Sequence, residues 1–273
     1  MDRAAVAPEA VFDAVAAAYD ADFTHTPLGQ ALRRRVWAVL ARYVRPGQHW
    51  LELACGTGED AVWLAGQGVR VTATDGSPRM VAVAQAKAEA AGLADRIAFL
   101  QLDLTGEWPT LGTAVCDGVL SDFGGINVLG DWRPLARSLA TVLRPGGVAV
   151  LVPMGPWCPW EVFWHLVHGD LRTATRRWRG QAVARIGSRS FPVAYPSPRR
   201  LRRDFAPWFD HLETLSLGFW LPPTALTGPI GRYLRLLTVL ERLEAGTARL
   251  TAGWGDHYII AFRRKDFHRD DIV

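Results

Sequence analysis

The spacing of apolar residues changes period along the chain. Residues 1–44 follow helical spacing. AVFDAVAAAYDADF is Ala-rich, and QALRRRVWAVLARYV sets Leu32, Val36, Val39 and Leu40 on one face until Pro46–Gly47 stops it. From residue 49 short, nearly continuous apolar runs take over: HWLELA (49–54), VRVTATD (69–75), RIAFLQLDL (96–104), AVCDGVLSD (114–122) and VAVLVPM (148–154). Helix-period segments separate them. SPRMVAVAQAKAEAAG has Ser77 as its cap and Pro78 at its first position; DWRPLARSLATVL has Asp131 as its cap, and RPGG makes the turn into the fifth strand. Strands that alternate with helices, and are apolar on both sides, predict a parallel sheet covered on both faces.

Beyond Pro153 the texture is rich in Trp, Pro and Arg. A helix is expected after Pro159, a hairpin in AVARIGSRSFPVAYP, and another helix after Ser197–Pro198. HLETLSLGFWL (211–221) and DHYIIAFRRK (256–265) return to strand character. An amphipathic helix from Ile230 to Glu244 lies between them, with Tyr233, Leu234, Leu236, Leu237, Leu240 and Leu243 apolar. It reads as core packing, a pocket wall, a dimer interface or a membrane-surface helix. The organisation expected is an N-terminal helical segment (1–44), an alternating strand–helix core (45–154), a Trp-, Pro- and Arg-rich insert (155–205), the end of the sheet with its inserted helix (206–265) and a tail (266–273).

At 273 residues, 49% of them hydrophobic and 21% charged, the chain can bury a large core, which excludes disorder and coiled coil for the bulk of it. Cys55, Cys116 and Cys158 form no CxxC pair, so neither a disulfide scaffold nor structural zinc is expected. The N-terminus carries Asp2, Glu9 and Asp13 and does not read as a secretory signal, and no apolar run spans a membrane. A cytoplasmic location is the expectation. Net charge is +4, and only Lys87 and Lys265 among 31 basic residues are lysines, so the Arg count is weak support for nucleic acid.

The chemistry centres on Glu52-Leu53-Ala54-Cys55-Gly56-Thr57-Gly58, where the first strand meets the first helix. Glycines there allow a sharp turn and close approach of a ligand, and free N–H groups favour an anion. Alone, the pattern serves a dinucleotide enzyme equally well. Asp75 ends the second strand, where a carboxylate accepts from ribose hydroxyls. Asp103 lies near the end of the third, where one accepts from an adenine amino group. Glu52 suits a cationic ammonium.

In these motifs the chain resembles the class I S-adenosylmethionine-dependent methyltransferases. ELACGTGE is similar to their first motif, TATDGSPRM to their second with Met80 against adenine, and LQLDL to the third. DGVLSDFGGIN is similar to the fourth-strand motif and LRPGG to the following turn, over residues 45–153. The resemblance implies a doubly wound, Rossmann-like α/β sheet of seven strands, the last antiparallel. It also implies S-adenosyl-L-methionine as cofactor and S-adenosyl-L-homocysteine as product. Tyr19, Glu52, Ala54, Gly56, Gly58, Asp75, Gly76, Met80, Asp103, Leu104 and Ser121 are its expected binding residues. Tyr19 and Phe23 resemble the family's aromatic cover, and read equally as anchors of a helix to the sheet.

The expected acceptor is a small or lipid-like molecule. Trp157, Trp160, Phe163, Trp164 and Trp178 offer either an acceptor surface or plain packing. The Arg run from Arg172 to Arg203 offers either anion binding or a solvated face. His25, Asp122, His165, His168 and His257 are the candidate bases. Glu161, His165 and His168 share a helical face but lack a fourth ligand, so no metal is expected. An RNA methyltransferase, an NAD(P)-dependent oxidoreductase and a non-enzymatic cofactor-binding protein are the alternatives. No Tyr-x-x-x-Lys pair exists for the oxidoreductase. Ser121-Asp122-Phe123-Gly124 stands where amino-methylating base enzymes carry Asn/Asp-Pro-Pro-Tyr.

Overall fold

Seven strands hydrogen-bond into one sheet in the computed structural model, which describes residues 8–106, 108, 111–186, 189–223 and 234–266. In chain order they are β1 (His49–Leu53), β2 (Arg70–Asp75), β3 (Ile97–Gln101), β4 (Cys116–Ser121), β5 (Leu143–Leu151), β8 (Phe209–Leu217) and β9 (His257–Arg264). Their spatial order is β3-β2-β1-β4-β5-β9-β8. The first five are mutually parallel, and β9 runs antiparallel to both its neighbours. The expected Rossmann-like sheet with an antiparallel last strand is therefore present. The order reverses between β1 and β4, and a crevice opens there at the strand carboxyl ends.

Two apolar layers sandwich the sheet. On one face α2 (Pro27–Leu40) buries Leu28, Leu32, Val36, Val39 and Leu40, beside α3 (Glu59–Gly66), α4 (Pro78–Ala90) and Leu237 of α9 (Leu234–Thr247). On the other, α5 (Arg133–Val142) and α8 (Pro198–Phe205) bury Leu135, Leu139, Leu201 and Phe205. Helix α8 thus belongs to the core layer, although it falls within the stretch assigned to the insert. Ser77 and Ser197 cap α4 and α8 by accepting from Met80 N–H and Arg200 N–H.

Two local expectations need correction. Asp131 does not cap α5: Trp132 occupies that position, and Asp131 only accepts from Arg133 N–H at 3.2 Å. Strand β5 begins at Leu143 rather than Val148, because Leu143 pairs with Cys116 and the RPGG segment is accommodated as an irregularity before Val148 pairs with Gly118.

Above the crevice, α1 (Pro8–Val15) and a π-helical turn (Asp20–Thr24) meet the material that follows β5: α6 (Pro159–Val167), α7 (Leu171–Ala174) and the hairpin β6 (Gln181–Ile186) and β7 (Arg189–Ala194). Val11 packs with Phe191, Val193 and Tyr195, and the rings of Phe12 and Phe191 meet edge-on at 5.7 Å. The N-terminal segment and the hairpin therefore cover the crevice as one apolar unit. Residues 224–233, and with them the start of the expected amphipathic helix, lie outside the described residues, as do the tail from 267 and the side chain of Leu234. No helix among the described residues is long and apolar enough to cross a membrane.

Candidate active site

The turn after β1 winds through backbone that needs glycine. Gly56 and Gly58 have φ of 54° and 77°, and a Cβ on Gly58 would stand 2.7 Å from that of Ala84. Ala54 shares the left-handed region at φ 52°. This elbow brings the Gly56 N–H to Asp75 Oδ2 at 2.9 Å, and Ser77 N–H reaches Asp75 Oδ1 at 2.8 Å. Burial raises the Asp75 carboxyl while these two N–H groups oppose it. Beyond β3, Asp103 accepts from Thr105 N–H at 2.8 Å.

A cavity of about 520 Å³ opens over the elbow. Tyr19, Ala54, Gly56, Asp75, Gly76, Met80, Asp103 and Leu104 line it, so eight of the expected cofactor residues come together. Glu52, Gly58 and Ser121 lie behind that wall. Glu52 and Ser121 are buried, with Glu52 Oε2 and Ser121 Oγ lacking a hydrogen-bond partner among the described residues. One stretch of the wall is apolar, with Phe12, Val128, Met154, Ile186, Phe191 and Val193, while charged groups including Asp122, Arg177, Asp256 and His257 line the remainder. The insert therefore faces the cavity with its hairpin. None of Trp157, Trp160, Phe163, Trp164 and Trp178 lines it, and Trp160 instead donates to the Phe219 carbonyl at 3.0 Å.

Two buried charge clusters flank the cavity. In the first, Arg33 of α2 ion-pairs with Asp60 of α3, which also accepts from Trp37 Nε1 at 2.6 Å. The Arg33 guanidinium lies 4.9 Å from the Phe123 ring centroid. Burial and the Asp60 charge push Glu52 and Asp122 well above the usual carboxylate range, against the pull of Arg33. Asp122 Oδ2 also lacks a partner among the described residues. Burial pushes the Tyr19 hydroxyl up to about 12. Arg33 escaped the sequence reading because it sits in the run Arg33-Arg34-Arg35. Only the helical phase it shares with Val36 and Leu40 marks it as inward-facing.

In the second cluster Arg177 donates to Glu161 Oε2 at 2.6 Å and Asp256 Oδ1 at 2.7 Å. Although burial opposes it, Arg177 and His257 hold the Asp256 carboxyl well below the usual carboxylate range. His257 Nδ1 stands 3.1 Å from Asp256 Oδ2, and its ring meets Phe123 edge-on at 5.7 Å. Of the candidate bases, Asp122, His165 and His257 line the cavity, whereas His25 and His168 are exposed and outside it. Glu161 is committed to Arg176 and Arg177, and His168 is exposed and bonded to the Trp164 carbonyl. No metal-holding group occurs among the described residues.

The acids fit the expected cofactor chemically. Glu52, Asp60 and Asp122 surround one guanidinium, leaving buried carboxyls without a cation, and an ammonium or sulfonium supplies that charge. Sheet order and elbow define the Rossmann-like methyltransferase fold. Residues 51–147 match the family model of the methyltransferase domain. The demethylmenaquinone methyltransferase of Mycobacterium tuberculosis is 36% identical over 139 residues, covering 50% of this chain and 54% of that protein. The chain thus spans about half the length of the curated relatives it matches. The 23S rRNA (uracil(1939)-C(5))-methyltransferase RlmD of Acidithiobacillus ferrooxidans is 40% identical over 76 residues, 28% of this chain and 17% of its own. Among solved structures, the complex of DhpI with SAH shares the fold at a TM-score of 0.56 and 21% identity, covering 94% of this chain and 95% of that one.

Proposed function

We propose that the chain transfers a methyl group from S-adenosyl-L-methionine to a lipid-like acceptor such as a quinone. One observation carries this reading: the cavity that gathers Asp75, Asp103 and Met80 continues into the apolar wall of Phe12, Ile186, Phe191 and Val193. The relative named for demethylmenaquinone supports the acceptor class.

The bound cofactor supplies a methyl group already activated on a sulfonium. The protein then has to align the acceptor for in-line attack and keep water out. Asp75 holds the ribose and Asp103 the adenine edge. Buried Glu52 and Asp122 balance the cofactor's positive charge, and Tyr19 and Phe23 close the cover. The Asp256 charge beside His257 Nδ1 balances the imidazolium that forms when Nε2 takes the acceptor's proton, where the acceptor is an acidic hydroxyl or ring C–H.

An RNA acceptor is less well supported. Within the Arg-rich stretch, Arg176 and Arg177 are tied to Glu161, and Arg200 and Arg203 to Asp204. Calorimetry with S-adenosylhomocysteine in competition with NAD, followed by label transfer from methyl-labelled cofactor to demethylmenaquinone, tests the proposal. Binding of NAD in place of the nucleoside rejects the cofactor. Binding without label transfer rejects this acceptor.

A further inference from the structure

Helix α6 has two unlike sides. Glu161 and His165, one turn apart, line the cavity. Phe163, Trp164, Leu166 and Val167 stand in solvent, as does Leu171 at the start of α7; Phe163 is 67% exposed and Val167 66%. Exposed tryptophans flank this helical pair in the chain. Trp157 stacks on Trp254 with ring centroids 5.4 Å apart and tilts against Trp178 at 4.8 Å. A soluble surface rarely leaves so many large apolar side chains together.

Charge says what covers them. Arg172 and Arg179 are exposed and form no ion pair among the described residues, and Arg176 is 40% exposed beside Glu161. The only exposed acid in the segment, Asp170, is engaged in capping α7 through Thr173 N–H at 3.0 Å. Exposed aromatic and aliphatic side chains interspersed with exposed Arg in one segment are the composition of a segment lying in a membrane interface. Anionic headgroups complement the basic rim.

We propose that the exposed face of α6 and α7, with the Trp157–Trp254–Trp178 cluster, docks on an anionic lipid bilayer. The cavity-lining side of the same helix then lies next to the surface from which a lipid-like acceptor is drawn. Only that last consequence rests on the proposed acceptor.

Sedimentation of the full chain with acceptor-free vesicles of pure phosphatidylglycerol, and separately of pure phosphatidylcholine, tests the docking. The chain should sediment with phosphatidylglycerol and at least about tenfold more weakly with phosphatidylcholine. Phe163→Ser/Val167→Ser should weaken binding to phosphatidylglycerol at least about tenfold, since both side chains insert. Arg172→Gln/Arg179→Gln should weaken it several-fold and flatten its salt dependence. Unchanged S-adenosylhomocysteine binding shows that each variant is folded. Three results overturn the proposal: no sedimentation with phosphatidylglycerol, sedimentation that neither variant alters, or a dimer that the Phe163/Val167 variant dissociates. Because the vesicles hold no acceptor, these results leave the methyl-transfer reading standing. Conversely, vesicle binding without methyl transfer removes only the acceptor.

Discussion

Thr57 Oγ1 donates a 2.6 Å hydrogen bond to Asp20 Oδ1, joining the glycine elbow to the N-terminal cover. Lys87 completes the latch, with Nζ 2.8 Å from both Asp20 Oδ2 and Glu59 Oε2. Asp13 adds a second tie by accepting from Ser77 Oγ at 2.5 Å. The cover is thus held by acids that reach the same two helix starts that frame the cofactor crevice.

Replacing Asp20 with Ala should speed dissociation of S-adenosylhomocysteine and weaken binding by about 1 kcal/mol, roughly fivefold, the worth of a hydrogen bond to a charged group less what water restores. Burial works against the Asp20 charge, but Lys87 and Thr57 hold its pKa below the usual carboxylate value. The latch is therefore complete above the ordinary carboxylate range and is lost only as pH falls through the depressed value. Stopped-flow dissociation rates should be independent of pH from neutrality down to mild acidity in the native chain. A rate unchanged in the variant would remove the latch.

Asp75→Ala should weaken S-adenosylhomocysteine binding by roughly 1.5–3 kcal/mol. The side chain already accepts from Gly56 and Ser77 N–H groups, so its removal also loosens the elbow. Calorimetry showing native affinity in a folded variant rejects the ribose role.

Much of this site is legible in the sequence, because strand ends, glycines and acids recur in a fixed order. The apolar runs place β1, β2 and β4 within a residue or two of their observed bounds, and Asp75 and Met80 follow from that placement. What the sequence hides is long-range. Arg33 meets Asp60, Arg177 meets Asp256, and Phe12 meets Phe191 only after the sheet has closed. The tryptophans of α6 misdirect for a related reason. Composition shows that aromatic surface is present, but whether it faces the cavity or solvent depends on how the helix is rolled, and that is set by Glu161 binding Arg176 and Arg177. The RPGG segment likewise reads as a plain turn, because a strand irregularity depends on its partner's register.

The raised carboxyl of Glu52 makes a prediction about stability and protons together. A carboxyl whose folded pKa is raised destabilises the protein increasingly as pH rises above the unfolded value, about 4.3, toward the folded one. Glu52→Gln removes that penalty. The unliganded variant should melt above the native chain at neutral pH, with the difference shrinking toward pH 4. If the cofactor's cationic groups allow Glu52 and Asp122 to ionise, binding releases protons. Titrations in buffers of different ionisation enthalpy should detect this release, and Glu52→Gln should reduce it. Equal proton release in both proteins rules Glu52 out as the source.

Asp256→Asn separates orientation from packing at the second cluster. Asn keeps the shape but removes the charge that His257 and Arg177 share. Methyl transfer should lose about 10²–10⁴ in kcat, the usual contribution of a general base, with KM little changed. Stability should fall as well, because Arg177 keeps only one buried carboxylate. The native pair contributes fully above the unfolded Asp value, near 3.9, and fades as pH drops through the depressed folded value. A loss of stability with native kcat confines Asp256 to a structural role and removes His257 as the base it orients.

Arg33 is the cation around which Glu52, Asp60 and Asp122 are arranged, and it touches cover, sheet and cavity at once. Asp60 and Asp122 raise its pKa against the effect of burial, so it stays charged. Arg33→Met fills most of the same volume, yet it strips Asp60 of its ion pair and leaves Trp37 as its hydrogen-bond donor. Breaking a buried pair from one side costs about 3–5 kcal/mol. Arg33→Lys should cost less, because it retains the charge while losing the planar contact with Phe123. Urea unfolding of the three proteins gives these values directly. If the cluster acts as a unit, Glu52→Gln should recover part of the loss in the Met background, since one fewer carboxyl then competes for a missing cation. Strict additivity of the two substitutions would mean that Arg33 serves Asp60 alone.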